Sequence, residues 1–109
     1  MSNIEKYENL VIGSGGAGKF VAWTMADAGR RTAMVERRAL GGACPNVACL
    51  PSKNIIYSAK VISLARRGAE FGLKTDSFGV DMKAVQRRKR LMVEGLHRMH
   101  LDRTNASGA

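Results

Sequence analysis

Tyr7-Glu8-Asn9-Leu10-Val11-Ile12-Gly13-Ser14-Gly15-Gly16-Ala17-Gly18 decides how this chain folds. Tyr7 to Ile12 reads as a short strand with an apolar end, the kind that a parallel sheet buries on both faces. Glycines follow at positions 13, 15, 16 and 18, and Lys19 to Ala28 contains neither glycine nor proline. That segment predicts a helix with Ala17, Val21, Thr24 and Ala28 on one face and Gly29 as its C-terminal cap. Thr32 to Glu36 predicts a second strand ending in a carboxylate. The order strand, glycine turn, helix, strand and acid is that of an α/β unit.

Gly13-x-Gly15-x-x-Gly18 fits the dinucleotide fingerprint. The first glycine makes the tight turn, the second admits a pyrophosphate to the backbone, and the third lets helix and strand pack closely. The pyrophosphate would rest on the helix N-terminus, where free N–H groups and the helix dipole favour negative charge. Glu36 lies 18 residues beyond Gly18, close to the spacing of a carboxylate that takes ribose hydroxyls. Gly13, Gly15, Gly16, Ala17, Gly18, Glu36 and the adjoining Arg37 are therefore the candidate cofactor residues. Gly18-Lys19 also fits the glycine–lysine part of a P-loop, but that motif needs Ser or Thr next to hold magnesium. Position 20 is Phe, which sets the P-loop aside.

The second informative stretch is Gly41-Gly42-Ala43-Cys44-Pro45-Asn46-Val47-Ala48-Cys49-Leu50-Pro51-Ser52-Lys53, which holds both cysteines and both prolines of the chain. In a regular helix, thiols five positions apart are too distant to bridge, because a disulfide wants Cα atoms about 4.4–6.8 Å apart. Pro45 and Pro51 remove backbone donors and push Cys44 and Leu50 away from helical geometry. A tight loop at the mouth of a helix then closes a small ring between Cys44 and Cys49, which reads as a working redox disulfide. Cys49 just before a helix, and Lys53 one turn inside it, meet the conditions that favour a thiolate. The alternative is soft-metal binding (mercury, zinc or copper) through Cys44 and Cys49. Two thiols fall short of the four ligands of a structural zinc site.

The remaining chain predicts two long helices. One begins near Pro51, which suits a first helical turn, and runs to about Glu70 with Ile55, Ile56, Ala59, Ile62 and Leu64 on its apolar face. Gly72 to Gly79 reads as a loop. Asp81 is placed to cap a helix from Met82 to about Arg103, with Met82, Val85, Met92, Leu96 and Met99 as its stripe. Arg87, Arg88, Lys89 and Arg90 read as its solvated face, and His97 and His100 as surface residues. Residues 1–6 read as a fraying lead, and Thr104 to Ala109 as an ending without an element.

A chain of 109 residues is one domain at most. The formal charge of +9 suits nucleic acid or a basic face of a larger assembly. None of the six aromatic residues interleaves with the basic runs, so no nucleic-acid partner is expected. No run approaches the roughly 18 apolar residues of a membrane span, and the polar opening residues do not read as a signal peptide. A cytoplasmic location is the expectation, and there paired cysteines are more often catalytic or metal-binding than structural. Two strands cannot make a stable parallel sheet, so the chain reads as part of a larger domain.

The glycine turn, Glu36 and the whole Gly41–Lys53 run resemble the amino-terminal part of the flavin-dependent pyridine nucleotide–disulfide oxidoreductases. That family includes dihydrolipoamide dehydrogenase, mercuric reductase and glutathione reductase. The resemblance implies an incomplete Rossmann-like FAD-binding domain, β-α-β followed by two long helices, spanning 1–109. The nicotinamide-binding and dimerisation domains of a homodimer would be absent from it. It also implies FAD as cofactor, NAD(P)H as electron donor, and a disulfide, thiol or metal ion as substrate. Cys49 would lie against the flavin, Cys44 would exchange with substrate, and Lys53 would sit near the reactive flavin nitrogen, paired to a carboxylate. Gly42 and Ala43 would line the cofactor. Ala43 replaces a usual Thr and Ala48 a usual Gly, and Ala48 would be strained if that position needs positive φ. Pro51-Ser52-Lys53 leans toward lipoamide- and mercury-type members.

Overall fold

A computed structural model of the chain describes residues 4–74 and 77–109. The chain is α/β. It runs β1 (Asn9–Ile12), α1 (Gly16–Asp27), β2 (Thr32–Val35), α2 (Ala43–Asn46), α3 (Cys49–Arg66), a single 3₁₀ turn (Gly68–Phe71) and α4 (Met82–Ser107). β1 and β2 pair in parallel, with Asn9 opposite Thr32 and Ile12 opposite Val35. The expected loop from Gly72 to Gly79 includes Thr75 and Asp76, which lie outside the described residues, as do residues 1–3 of the lead. Glu5 in that lead is tied down, 3.5 Å from Arg31.

The β-α-β unit forms where the glycines allow it, but two details of its packing differ from the sequence pattern. β1 is covered on one face only: Val11 turns toward α1, while Leu10 and Ile12 alternate to the open side, Ile12 being 84% exposed. The period of α1 is right and its phase is not. Ala17, Val21, Thr24 and Ala28 are exposed, and Lys19, Ala22 and Trp23 are buried. The physical reason is that α1 packs against two partners, the strands and α4, and the α4 contact selects the Lys19–Trp23 flank. Gly29 caps α1 as expected, at φ 77°, with its N–H donating to the Ala26 carbonyl at 2.9 Å.

α3 starts at Cys49, two residues before Pro51, whose missing N–H falls among the donors a helix start leaves unpaired anyway. Its expected apolar face is mostly uncovered, since Ile55, Ile56, Ala59 and Leu64 are exposed and only Ile62 is half-buried. The Asn54–Ser58 flank instead meets α4. There Arg88, exposed as expected, also donates to the Asn54 carbonyl at 2.5 Å and to Ser58 Oγ at 2.7 Å. Asp81 does cap α4, its carboxylate accepting from the Ala84 N–H at 3.0 Å. α4 continues past Arg103 through Ser107, and Gly108 ends it at φ 79°. Thr104 anchors that extra turn by accepting a hydrogen bond from Trp23 Nε1 at 3.0 Å.

The result is an elongated body of 71 × 28 × 18 Å with a radius of gyration of 20.6 Å, against about 13 Å for a compact chain of this size. Among the described residues the buried hydrophobic side chains are Ala22 and Trp23. Among them, too, no helix is long and apolar enough to cross a membrane.

Candidate functional site

The site is made where two turns touch. In the first, Gly13 adopts φ 92° and its N–H donates to the Val35 carbonyl at 2.7 Å, carrying the strand pairing into the turn. Gly18 is held so closely that a Cβ there would stand 2.0 Å from the Gly13 carbonyl oxygen and 3.3 Å from Val11 Cγ1. This is the close helix–strand approach that the third glycine of the fingerprint provides. A Cβ at Gly15 or Gly16 would meet nothing within 4 Å, so these two face open space. The N-terminus of α1 has no side-chain cap and no acid in its first turn. Its free N–H groups and dipole suit an anion.

In the second turn, Gly41 and Gly42 adopt φ 100° and 77°. A Cβ on Gly42 would fall 2.7 Å from the Gly15 Cα, so the cysteine turn is seated directly on the glycine turn. Asn46 closes it, donating to the Leu40 carbonyl at 3.0 Å and the Gly42 carbonyl at 2.7 Å. Cys44 lies within α2 and Cys49 at the first position of α3, both exposed free thiols. The Cys44 thiol is pushed above its ordinary value, first by its hydrogen bond with Cys49, then by burial and the Cys49 charge. The cations Lys53 and Lys19 pull the other way. Lys53 is exposed and makes none of the salt bridges found among the described residues. Ala48 has φ −120°, so the strain anticipated for a non-glycine there does not arise.

Glu36 links the turns through a residue the sequence reading passed over. Ser14, fully buried, donates its hydroxyl to Glu36 Oε2 at 2.6 Å and its N–H to the same oxygen at 3.0 Å. The Gly41 N–H donates to Ser14 Oγ at 3.0 Å, so one hydroxyl bridges three segments. Glu36 Oε1 accepts from the Arg38 N–H at 2.9 Å. These bonds, the Ser14 hydroxyl above all, lower the Glu36 carboxyl from 4.5 to about 2. Arg37 is exposed beside it. The only local hint of this role was a small hydroxyl between two glycines at a strand end.

His97 is on the surface as expected, but His100 is not. It is 5% exposed, with Nε2 2.7 Å from Lys19 Nζ and Nδ1 2.7 Å from the Leu96 carbonyl. A histidine on a polar helix is buried here because Lys19, 81 positions away, supplies its partner. Nothing in the local pattern marks it. Among the described residues no cluster of three His, Cys, Asp or Glu side chains is placed to hold a metal ion.

The family model described as pyridine nucleotide-disulphide oxidoreductase matches residues 7–107. The chain belongs to that family. It is 37% identical over 92 residues to a dihydrolipoyl dehydrogenase of Chlamydia muridarum, a match covering 84% of this chain and 20% of the relative. It is 33% identical over 94 residues to a mercuric reductase of Lysinibacillus sphaericus, covering 86% and 17%. Among solved structures, the HOCl-induced flavoprotein disulfide reductase RclA from Escherichia coli, as a Cu(II) complex, superposes with a TM-score of 0.73 at 28% identity. That match covers 92% of this chain and 19% of RclA. The chain thus spans about a fifth of the length of the relatives it matches.

Proposed function

We propose that residues 1–109 are the N-terminal part of the FAD-binding domain of an NAD(P)H-dependent disulfide oxidoreductase, in which Cys44 and Cys49 cycle between disulfide and dithiol. The observation that carries this reading is the contact of the two turns, Gly42 lying against Gly15. That contact supports the reading because it seats the segment holding the thiol pair on a helix start suited to an anion. The glycine cradle, the uncapped α1 N-terminus and Glu36 fit a dinucleotide, with Gly13, Gly15, Gly16, Ala17 and Gly18 at its pyrophosphate and Glu36 and Arg37 toward its ribose. Gly42, Ala43 and Lys53 would line the flavin. When bound, the flavin supplies a ring that passes electrons from NAD(P)H to the thiol pair.

The chain's own part is thiol–disulfide exchange. The Cys44 thiolate attacks one sulfur of a substrate disulfide, forming a mixed disulfide and releasing the first substrate thiolate, which takes a proton. Cys49, as thiolate, then attacks the Cys44 sulfur, releases the second substrate thiolate, and restores the Cys44–Cys49 disulfide. Two electrons leave the pair and reduce one substrate bond. The acceptor would be of the lipoamide type or a mercuric ion, and the intact enzyme a cytoplasmic homodimer carrying its nicotinamide-binding and dimerisation domains elsewhere. Metal binding by Cys44 and Cys49 without turnover is the lesser reading, because no third ligand joins them among the described residues.

Gly15→Ala tests the cofactor site. The new methyl meets no protein atom within 4 Å, so the variant is expected to fold as its parent yet lose flavin absorbance on gel filtration. Full flavin retention by that variant overturns the placement. Thiol counting tests the pair: two thiols should appear only after reduction of the purified full chain, and Cys44→Ser should leave Cys49 unable to form the ring.

A further inference from the structure

Beneath the cysteine turn lies a buried lysine–histidine pair that thiol exchange, as described, does not use. Lys19 is 9% exposed and His100 5%. Leu96 offers His100 Nδ1 a carbonyl, which can only accept, so Nδ1 carries the hydrogen and Nε2 receives one from the Lys19 ammonium. The charge stays on Lys19. Aromatic faces enclose it: its Nζ stands 5.5 Å from the Phe20 ring centroid and 6.0 Å from that of Trp23, which also stacks on His100. Among the described residues no carboxylate forms a salt bridge with it. Asp27, on the same helix, pairs instead with Arg103.

The same imidazole supports the turn. A Cβ on Gly41 would stand 3.2 Å from His100 Nδ1 and 3.0 Å from Pro45 Cγ, so Gly41 is wedged between the ring and the buried proline that follows Cys44. We propose that Lys19, held by His100, is a positioning residue of the redox pair: a nearly buried cation near the Gly41–Asn46 turn that favours the Cys44 thiolate during exchange. This rests on the redox reading of Cys44 and Cys49. Against the groups that push the Cys44 thiol up, two cations draw it toward ionisation, Lys53 first and then Lys19, and of these Lys53 is exposed. A cation removed from water is screened less than one in it. Of the other charged groups around the turn, Glu36 reaches Gly41 through the Ser14 hydroxyl, and Glu94, His97 and Arg98 of α4 line a cavity with Asn46.

The test is the pH profile of iodoacetamide alkylation of Cys44 in the purified full chain carrying Cys49→Ala. Lys19→Gln keeps a donor for His100 Nε2 and removes the charge. It should move the midpoint up by about half a pH unit, read as about threefold slower alkylation near neutral pH. Lys19→Arg should restore the parental midpoint. Thr104→Val breaks the Trp23–Thr104 bond between the same two helices without touching charge; it should lower the melting temperature and leave the midpoint alone. An unmoved midpoint in Lys19→Gln, or an equal shift in Thr104→Val, overturns the proposal. The readout needs no flavin. A chain that fails to hold flavin but shifts as expected sustains this inference and sinks the cofactor reading instead.

Discussion

The two ends of this molecule are held together in different ways. From β1 to the start of α3, backbone meets backbone: Gly18 on Gly13, Gly42 on Gly15, and the Ser14 hydroxyl binding Glu36 and Gly41. Along the arm made by α3 and the first half of α4, large apolar side chains such as Ile56, Tyr57 and Leu91 stay 60% or more exposed. The site end is specified by close approach and directed hydrogen bonds, which leave little freedom at each position. The arm is specified by helix periodicity and a cap, which leave much. Substitutions at the two ends should therefore behave differently even when the chemical change is the same.

The largest effect is expected from Gly18→Ala. Its methyl would stand 2.0 Å from a backbone oxygen, which cannot yield as a flexible side chain would. Helix and strand must part, at a cost of about 3 kcal/mol. Urea denaturation of the full chain reads the loss directly, and a variant as stable as its parent would mean that the glycine turn is looser than described.

Ser14→Ala should come next, at about 1–3 kcal/mol, because it strips Glu36 and the Gly41 N–H of a buried partner at once. The same network gives a pH signature. The Glu36 carboxyl is depressed from 4.5 to about 2, so it stabilises the fold above pH 4.5. That contribution fades as pH falls through the interval toward about 2. Denaturation midpoints across this acid range should decline in the parent and decline less in Glu36→Gln. Equal slopes would remove Glu36 from the joint between the turns.

Most of the site end was legible because its geometry forces residue type locally. Only glycine tolerates the φ of Gly13 and Gly42, and only glycine fits at Gly18. The Asp81 cap was legible for the same reason, as one side chain three residues from its donor. What escaped depends on partners distant in sequence. The face of α1 could not be phased, since small residues such as Ala17 and Ala28 mark no side, and α4 chose the flank bearing Lys19 and Trp23. His100 was hidden because its burial follows from Lys19. The last turn of α4 holds poor helix formers, Thr104 and Asn105, and the long-range partner that ties Thr104 down is Trp23.

The smallest effect, opposite in sign to that of Gly18→Ala, belongs to Gly95→Ala in the middle of α4. A Cβ there would meet nothing within 4 Å, and an unstrained Ala in a helix interior is worth about 0.5–1 kcal/mol over Gly. The methyl should raise the thermal midpoint slightly and leave flavin retention and thiol chemistry unchanged. Should it instead destabilise the full chain, Gly95 must pack against a surface beyond these residues. The arm would then be specified by close approach as the glycine turn is, and the contrast between the two ends would reduce to a difference in which contacts the 109 residues supply for themselves.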